Sequence, residues 1–233
     1  MKLKKWWVIA LIMILPLLFI MGNLKKKTIE TAENNLKTIN KYKNIKRVAL
    51  TFDDGPSSEC TPRLLDILKK ENVKATFFLV GKNIKENEDI VIRMKNEGHL
   101  IGNHTFNHPN VIGMSEEQFG KELSMVSDKF KEITGKEMTK FYRAPQGKLS
   151  FDNLKMAQKL GYKTFFWSLA YVDWNTDAQP TKEEAFSKLL TRVHPGAIVL
   201  LHNTSSTNGE ILDELLEKWE DMGYKFGKLQ DIK

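Results

Sequence analysis

Two adjacent carboxylates and two closely spaced imidazoles are the first residues of this 233-residue sequence that suggest chemistry. Asp53 and Asp54 follow the apolar run 48–52, and His104 and His108 stand four positions apart. One carboxylate with two imidazoles can bind a divalent metal and leave coordination positions open for water and substrate. We predict that Asp54, His104 and His108 are the metal ligands, with a helical turn placing both rings on one side. Asp53 is then free to take a proton from the attacking water.

Polar side chains of the same kinds recur where the predicted strands end. Short apolar runs predict strands over 47–52, 75–80, 100–103, 140–143, 163–169, 197–201 and 224–229. Arg143 ends the fourth strand, Asp173 follows the fifth, and His202 comes directly after the sixth. The strand ends of a barrel meet at one mouth, whereas those of an open doubly wound sheet are spread along a line. This convergence favours an α/β fold of the (β/α) barrel type over the open sheet.

Amphipathic patterns between these strands predict the helices. They cover 61–71, 89–96, 115–134, 152–160, 181–193 and 209–222. Capping boxes mark two of the helix starts, Ser115-x-x-Gln118 and Thr181-x-x-Glu184. No glycine-rich dinucleotide or phosphate loop occurs, and the single Cys60 excludes an intrachain disulfide or a cysteine-based zinc site.

The net charge of +7 originates in the N-terminal segment. Six lysines, at positions 2, 4, 5, 25, 26 and 27, precede the first acid, and the rest of the chain carries 30 basic and 29 acidic side chains. We therefore expect no nucleic-acid partner. The uncharged apolar run 6–21 predicts an uncleaved transmembrane anchor over 1–22, with a cleaved signal peptide as the alternative. A polar stalk, 23–46, and a catalytic domain, 47–233, follow outside the membrane, or are secreted if the anchor is cleaved.

Five short motifs follow one another along the chain. They are Thr51-Phe52-Asp53-Asp54-Gly55-Pro56, His104-Thr105-x-x-His108, Arg143-x-Pro145-x-Gly147, Asp173-Trp174 and Leu200-x-His202. In this order they resemble the motifs of the polysaccharide deacetylases, the NodB-homology enzymes of carbohydrate esterase family 4. The resemblance covers residue 47 to the C terminus. It implies a distorted (β/α) barrel of about seven strands and a divalent metal, usually zinc and in some members cobalt or nickel.

The resemblance also implies a role for each polar residue beside the metal ligands. Asp53 is the catalytic base, and Arg143 orients it. His202 is the general acid that protonates the leaving amine, and Asp173 pairs with His202. The implied reaction is metal-dependent hydrolysis of an N-acetyl group on a cell-wall polysaccharide, with peptidoglycan or a related glycan as the partner.

Two departures from the family pattern point to one branch. Gln146 stands where the third motif usually carries an aromatic residue, and Ala170 stands where an acid usually precedes the fourth motif. Both are similar to the muramic δ-lactam-forming de-N-acetylases, which act on N-acetylmuramic acid during spore cortex synthesis. The resemblance assigns substrate contacts to Trp174 and Leu200 as walls of the acetyl pocket, and to the backbone near Gln146. The missing aromatic residue would make room for the muramic lactyl group.

The same motifs are compatible with other substrates and with other classes of protein. A chitooligosaccharide, peptidoglycan GlcNAc or xylan deacetylase would use the same site. A non-catalytic wall-binding module would be expected to lack part of the site and to expose an aromatic strip, whereas Trp167, Trp174 and Trp219 are predicted to pack in the core. A purely structural metal site would need a fourth ligand. We expect a monomer; the metal, the sugar and the need for prior stem-peptide removal are left open.

Overall fold

The computed structural model describes residues 46–231, which form seven strands and seven α-helices. The strands are β1 (Arg47–Asp53), β2 (Thr76–Leu79), β3 (Leu100–Asn103), β4 (Phe141–Tyr142), β5 (Lys163–Thr164), β6 (Ala197–His202) and β7 (Lys225–Phe226). Six of them pair in parallel in the order β5–β4–β3–β2–β1–β6, and β7 pairs with β1 off this path. The sheet is a curled parallel half-barrel, so the predicted α/β barrel is confirmed in its strand type and curvature but not as a complete ring.

The sheet is irregular at the predicted strand 163–169. Its first two residues form β5 and pair with β4, whereas Ser168 and Leu169 hydrogen-bond with β6. Phe165 and Phe166 lie where the chain changes partner. The prediction of one continuous strand is therefore wrong in its middle, because the segment crosses between the two edges of the half-barrel.

Seven helices cover the sheet within the described residues. They are α1 (Thr61–Lys70), α2 (Gly81–Glu86), α3 (Glu88–Asn96), α4 (Glu116–Thr134), α5 (Phe151–Lys159), α6 (Lys182–Arg192) and α7 (Ser206–Asp221). The capping boxes predicted at Ser115 and Thr181 are both present, because each hydroxyl accepts the N–H three residues on and that residue's side chain returns the bond. The sequence reading missed the short α2, which contains a single turn and a half and has no apolar stripe of its own.

The predicted anchor, 1–22, and all but the last residue of the stalk, 23–46, lie outside the described residues. Among the helices of residues 46–231, none combines the length and the apolar character that a membrane crossing requires.

The main core forms around the central strand β1. Its residues Val48 to Phe52 are all buried, as expected for a strand covered on both faces. Leucines of α1 and α7 and the indole of Trp219 belong to the same apolar cluster. Burying one leucine or valine side chain contributes about 1.5–3 kcal/mol, so this cluster makes a large contribution to the stability of the sheet.

The register of the strands decides which side chains meet at their carboxyl ends. Asp53 of β1 is paired with His202 of β6. Asn103 of β3 is paired with Tyr142 of β4, so that His104 and Arg143 are the next residues on neighbouring strands. The predicted convergence of polar residues at one edge is therefore present.

Candidate active site

Asp54, His104 and His108 form a compact cluster at this edge. One ligand atom from each residue lies within 4.8 Å of the other two. Asp54 Oδ1 is 3.3 Å from His104 Nε2 and 3.3 Å from His108 Nε2, and it is buried without a hydrogen-bond partner among the described residues. A buried carboxylate oxygen between two imidazole nitrogens fits a divalent cation that all three atoms could bind.

The backbone of the cluster is held in conformations that most residues avoid. Asp54, Thr105 and His108 have φ angles of 70°, 68° and 58°, in the left-handed region. This region is strained for a β-branched residue such as Thr105, and each such residue costs about 1–3 kcal/mol. The predicted helical turn at 104–108 is therefore wrong. The loop is not helical, and its strained conformation brings the two imidazole rings to a centroid distance of 5.0 Å.

The electrostatics of the cluster favour a positive charge. Burial would raise the pKa of Asp54, but the nearby imidazoles of His104, His202 and His108 lower that pKa to about 2. Burial would lower the pKa of His104, but the carboxylates of Asp53 and Asp54 outweigh burial and raise it. Burial lowers the pKa of His108, with Asp54 offsetting only part of the effect. Two carboxylates thus act on one small volume, which is where a divalent cation would be bound most strongly.

A carbonyl group fixes the orientation of His104. His104 Nδ1 lies 2.8 Å from the carbonyl oxygen of Arg143, so Nδ1 carries the proton and donates it there. The lone pair of Nε2 then points at Asp54, as a metal ligand requires.

Arg143 holds the second carboxylate, Asp53. Its Nη1 donates to Asp53 Oδ1 at 2.8 Å and to the hydroxyl of Thr51 at 2.7 Å. The guanidinium is 1% exposed, and its other nitrogens donate to the carbonyl oxygens of Phe165 and Phe166 at 3.3 and 3.2 Å. Asp53 Oδ2 lies 3.7 Å from His104 Nε2. One carboxylate oxygen is thus bound to Arg143 while the other faces the cluster, a geometry suited to accepting a proton.

His202 faces the same cluster from β6. Its Nε2 is 3.8 Å from Asp54 Oδ2, and its Nδ1 donates to Asp173 Oδ1 at 2.7 Å. Burial would lower the pKa of His202, but the hydrogen bond and charge of Asp173 outweigh burial and raise it. Asn208 donates to Asp173 Oδ2 at 2.6 Å, and the hydroxyl of Tyr171 donates to Asn208 Oδ1 at 2.6 Å. A chain of buried hydrogen bonds therefore positions the imidazole that could act as an acid.

The cluster opens into a cleft of about 600 Å³. The three residues predicted to contact substrate all line it: Gln146, Trp174 and Leu200. The prediction that Trp174 packs in the core is wrong, since the side chain is 59% exposed at the cleft. Gly147 has a φ of 66°, and a Cβ there would lie 2.6 Å from the ring of Trp167, so only glycine allows this close approach.

The structure thus brings all ten predicted site residues together, while their individual roles stay predictions. Sequence reasoning missed Thr51, Asn208 and Tyr171, which hold Arg143 and Asp173 in place. Thr51 lies in the first motif, beside Asp53, and its position in that motif was the available signal. Asn208 and Tyr171 carry no such signal, because a helix-start asparagine and a loop tyrosine are common without function.

Comparison with known proteins agrees with this geometry. The polysaccharide deacetylase family model matches residues 40–165. The chain is 41% identical over 187 residues to the peptidoglycan-N-acetylmuramic acid deacetylase PdaA of Bacillus subtilis strain 168, covering 80% of this chain and 71% of that protein. It is 37% identical over 193 residues to a peptidoglycan-N-acetylglucosamine deacetylase of Bacillus cereus, covering 81% and 69%. The solved structure of Bacillus subtilis PdaA, a family 4 carbohydrate esterase, matches with a TM-score of 0.78 and 39% identity, covering 85% of this chain and 88% of that one.

Proposed function

Because the chain belongs to the polysaccharide deacetylase family, we propose that it hydrolyses the acetamido group of N-acetylmuramic acid in peptidoglycan. The observation that carries this proposal is the placing of two proton-transfer groups around one cluster of metal-ligand type. Asp53 Oδ2 approaches His104 to 3.7 Å, and His202 Nε2 approaches Asp54 to 3.8 Å. Amide hydrolysis needs a base for the water and an acid for the amine, and the cleft offers one of each.

The residues of the chain divide the reaction between them. A divalent cation held by Asp54, His104 and His108 would polarise the acetyl carbonyl and make the attacking water more acidic. Asp53 accepts the proton of that water, while the ion pair with Arg143 keeps the carboxylate oriented. His202 in its protonated form gives the Nε2 proton to the departing amine, because Nδ1–H is retained by Asp173. Zinc is the metal we propose for a site of two imidazoles and one carboxylate, and cobalt or nickel would suit the same donors.

The preference for muramic acid is supported by similarity and by the cleft. The relative at 41% identity is named as an N-acetylmuramic acid deacetylase. Lys148 lines the cleft beside Gln146, and among residues 46–231 no carboxylate lies within 4.0 Å of its ammonium group. The free lactyl group of muramic acid ends in a carboxylate, which this ammonium could bind. N-acetylglucosamine has no such charge.

Mass spectrometry of peptidoglycan fragments tests the proposal directly. Fragments whose muramic residues carry a free lactyl group, incubated with the purified protein, should lose one acetyl group from each modified muramic residue, and a chelator should prevent the loss. Loss from glucosamine instead would favour the activity named for the Bacillus cereus relative. Unchanged fragments, with metal supplied, would contradict the proposed deacetylation.

The location and the biological setting are also proposals. We propose that residues 1–22 anchor the protein with its catalytic domain outside the cytoplasm, which the apolar run 6–21 and its flanking lysines support. A role in the spore cortex is supported by the resemblance described above. Protease accessibility of the domain on intact cells tests the location, and muropeptide analysis of spores from a deletion strain tests the role.

A further inference from the structure

Glu122 of α4 contacts the loop that carries both histidines of the cluster. Its Oε2 accepts the backbone N–H groups of Phe106 and Asn107, each at 2.9 Å. Its Oε1 accepts the side-chain amide of Asn107 at 2.8 Å. One carboxylate therefore binds three donors of the loop 104–108, and none of these bonds involves a metal-ligand atom.

The opposite side of this loop is bound by α2. The backbone N–H groups of Gly81 and Lys82 donate to the carbonyl oxygens of Thr105 and Phe106, each at 3.0 Å. A Cβ at Gly81 would lie 2.2 Å from the ring of Phe106, so the helix can approach the loop closely only with glycine at this position. The loop is thus clamped, with its carbonyl groups bound by α2 and its N–H groups bound by Glu122.

The residue next to Glu122 ties down the start of the loop. The carbonyl oxygen of Leu123 accepts Asn103 Nδ2 at 2.8 Å, and Asn103 Oδ1 accepts the N–H of Thr105 at 2.9 Å. The left-handed conformations of Thr105 and His108 are unfavourable in isolation, so neighbouring contacts must stabilise them. Two successive residues of α4 thus supply contacts at the start and in the middle of the strained segment.

We propose that Glu122 is a positioning residue that sets the metal affinity of the site. Without the Glu122 carboxylate the N–H groups of residues 106 and 107 lose their acceptor, and the loop can relax towards ordinary backbone angles. Relaxation would move His108 away from Asp54, whereas His104 would keep its bond to the Arg143 carbonyl group. Ligands that are held in advance bind a metal more tightly than ligands that must be ordered on binding. The inference rests on the proposed function only in assuming that this cluster binds a divalent cation.

The test is a cobalt titration of the metal-free full-length protein, followed by visible absorption. We expect Glu122→Ala to weaken cobalt binding about 10- to 100-fold, the usual effect of removing a partner behind a metal ligand. The cobalt affinity of Glu122→Gln should lie between those of the wild type and Glu122→Ala, because the single carbonyl oxygen of glutamine can still accept N–H groups. Glu117→Ala, at an exposed position on the first turn of the same helix, is the matched control and should bind as the wild type does. At saturating cobalt, acetate release by Glu122→Ala should return to near the wild-type rate.

Each other outcome decides the question too. A cobalt dissociation constant unchanged within about twofold, even with a lowered melting temperature, would mean that Glu122 stabilises the fold alone, and would overturn the proposal. If Glu122→Ala does not fold, the affinity of Glu122→Gln decides by the same criterion. A wild-type protein that binds no cobalt would contradict the proposed metal site itself, which separates that failure from a failure of the role given to Glu122.

Discussion

His99 should make the protein sensitive to acid, although it lies outside the cleft. The imidazole is buried, and its Nδ1 accepts the backbone N–H of Ala75 at 3.1 Å, so the ring is neutral. Burial, followed by the charge of Lys74, lowers the pKa of His99 from 6.5 to about 4, while Glu97 offsets part of this shift. Protonation would put a charge in the core and remove the acceptor of the Ala75 bond.

The sign and the size of the effect follow from proton binding. Between pH 6.5 and about 4, the unfolded chain binds a proton at His99 that the folded chain does not. The stability due to the neutral ring is therefore complete above pH 6.5 and is lost as the pH falls. Linkage gives a loss of about 2 kcal/mol at about pH 5, and about 3 kcal/mol once the pH is below the folded-state pKa.

Urea unfolding followed by tryptophan fluorescence measures this loss. The free energy of unfolding is determined at about pH 7.5 and at about pH 5 for the wild type and for His99→Gln. The variant should be less stable at the higher pH, but it should lose about 2 kcal/mol less than the wild type on acidification. His194→Gln, at an exposed position, is the control and should follow the wild type. Equal losses in the wild type and in His99→Gln would refute the reasoning.

Three further predictions concern the cleft. Asp53→Asn removes the proposed base and keeps the three metal ligands, so acetate release should fall about 100- to 10,000-fold while cobalt affinity is retained. Asp173→Asn removes the carboxylate that raises the pKa of His202, so the alkaline limb of the kcat profile should move to lower pH. Gly147→Ala places a Cβ against Trp167 at a positive φ, and it should lower the free energy of unfolding by about 1–3 kcal/mol or more, measured by urea unfolding.

Controls and contrary results are available for each. Turnover retained in Asp53→Asn would remove that residue from the base role. An alkaline limb that stays in place in Asp173→Asn would show that another group sets it. Gly113→Ala has a similar positive φ but no atom within 4 Å of the new Cβ, so it isolates the backbone strain. If both glycine variants are equally destabilised, the Trp167 contact contributes nothing.

The parts of the site predicted from sequence are those that depend on local patterns. The buried run 48–52 shows where β1 ends. Parallel pairing with β6 then places Asp53 beside His202, and this placement does not depend on the conformation of the loops. The same reasoning brings His104 next to Arg143. The end of a central strand can be predicted because a strand buried on both faces is a continuous run of apolar residues.

The parts that escaped prediction depend on contacts between distant segments. Thr105 lies in a stretch whose histidine spacing fits a helical turn, but tertiary bonds from α2 and α4 hold it in a left-handed conformation. Glu122 stands in an amphipathic helix, where a partly exposed glutamate is ordinary, and only the folded chain shows that it binds the loop. The change of strand partner after β5 could not be predicted either, because residues 163–169 have the composition of a continuous strand.

The change of strand partner within residues 163–169 matters for any redesign that makes this sheet more regular. The carbonyl oxygens of Phe165 and Phe166 can accept the guanidinium of Arg143 because the chain changes partner there instead of continuing a regular ladder. A redesign that paired all of residues 163–169 with β4 would place those carbonyl oxygens in ladder hydrogen bonds. The buried guanidinium of Arg143 would then lose two of its acceptors. The sheet would gain hydrogen bonds, but Arg143, which orients Asp53, would be held less firmly. The change of partner within residues 163–169 therefore serves the site, and a regularised strand should gain ladder hydrogen bonds but leave Arg143 short of acceptors and Asp53 less well oriented.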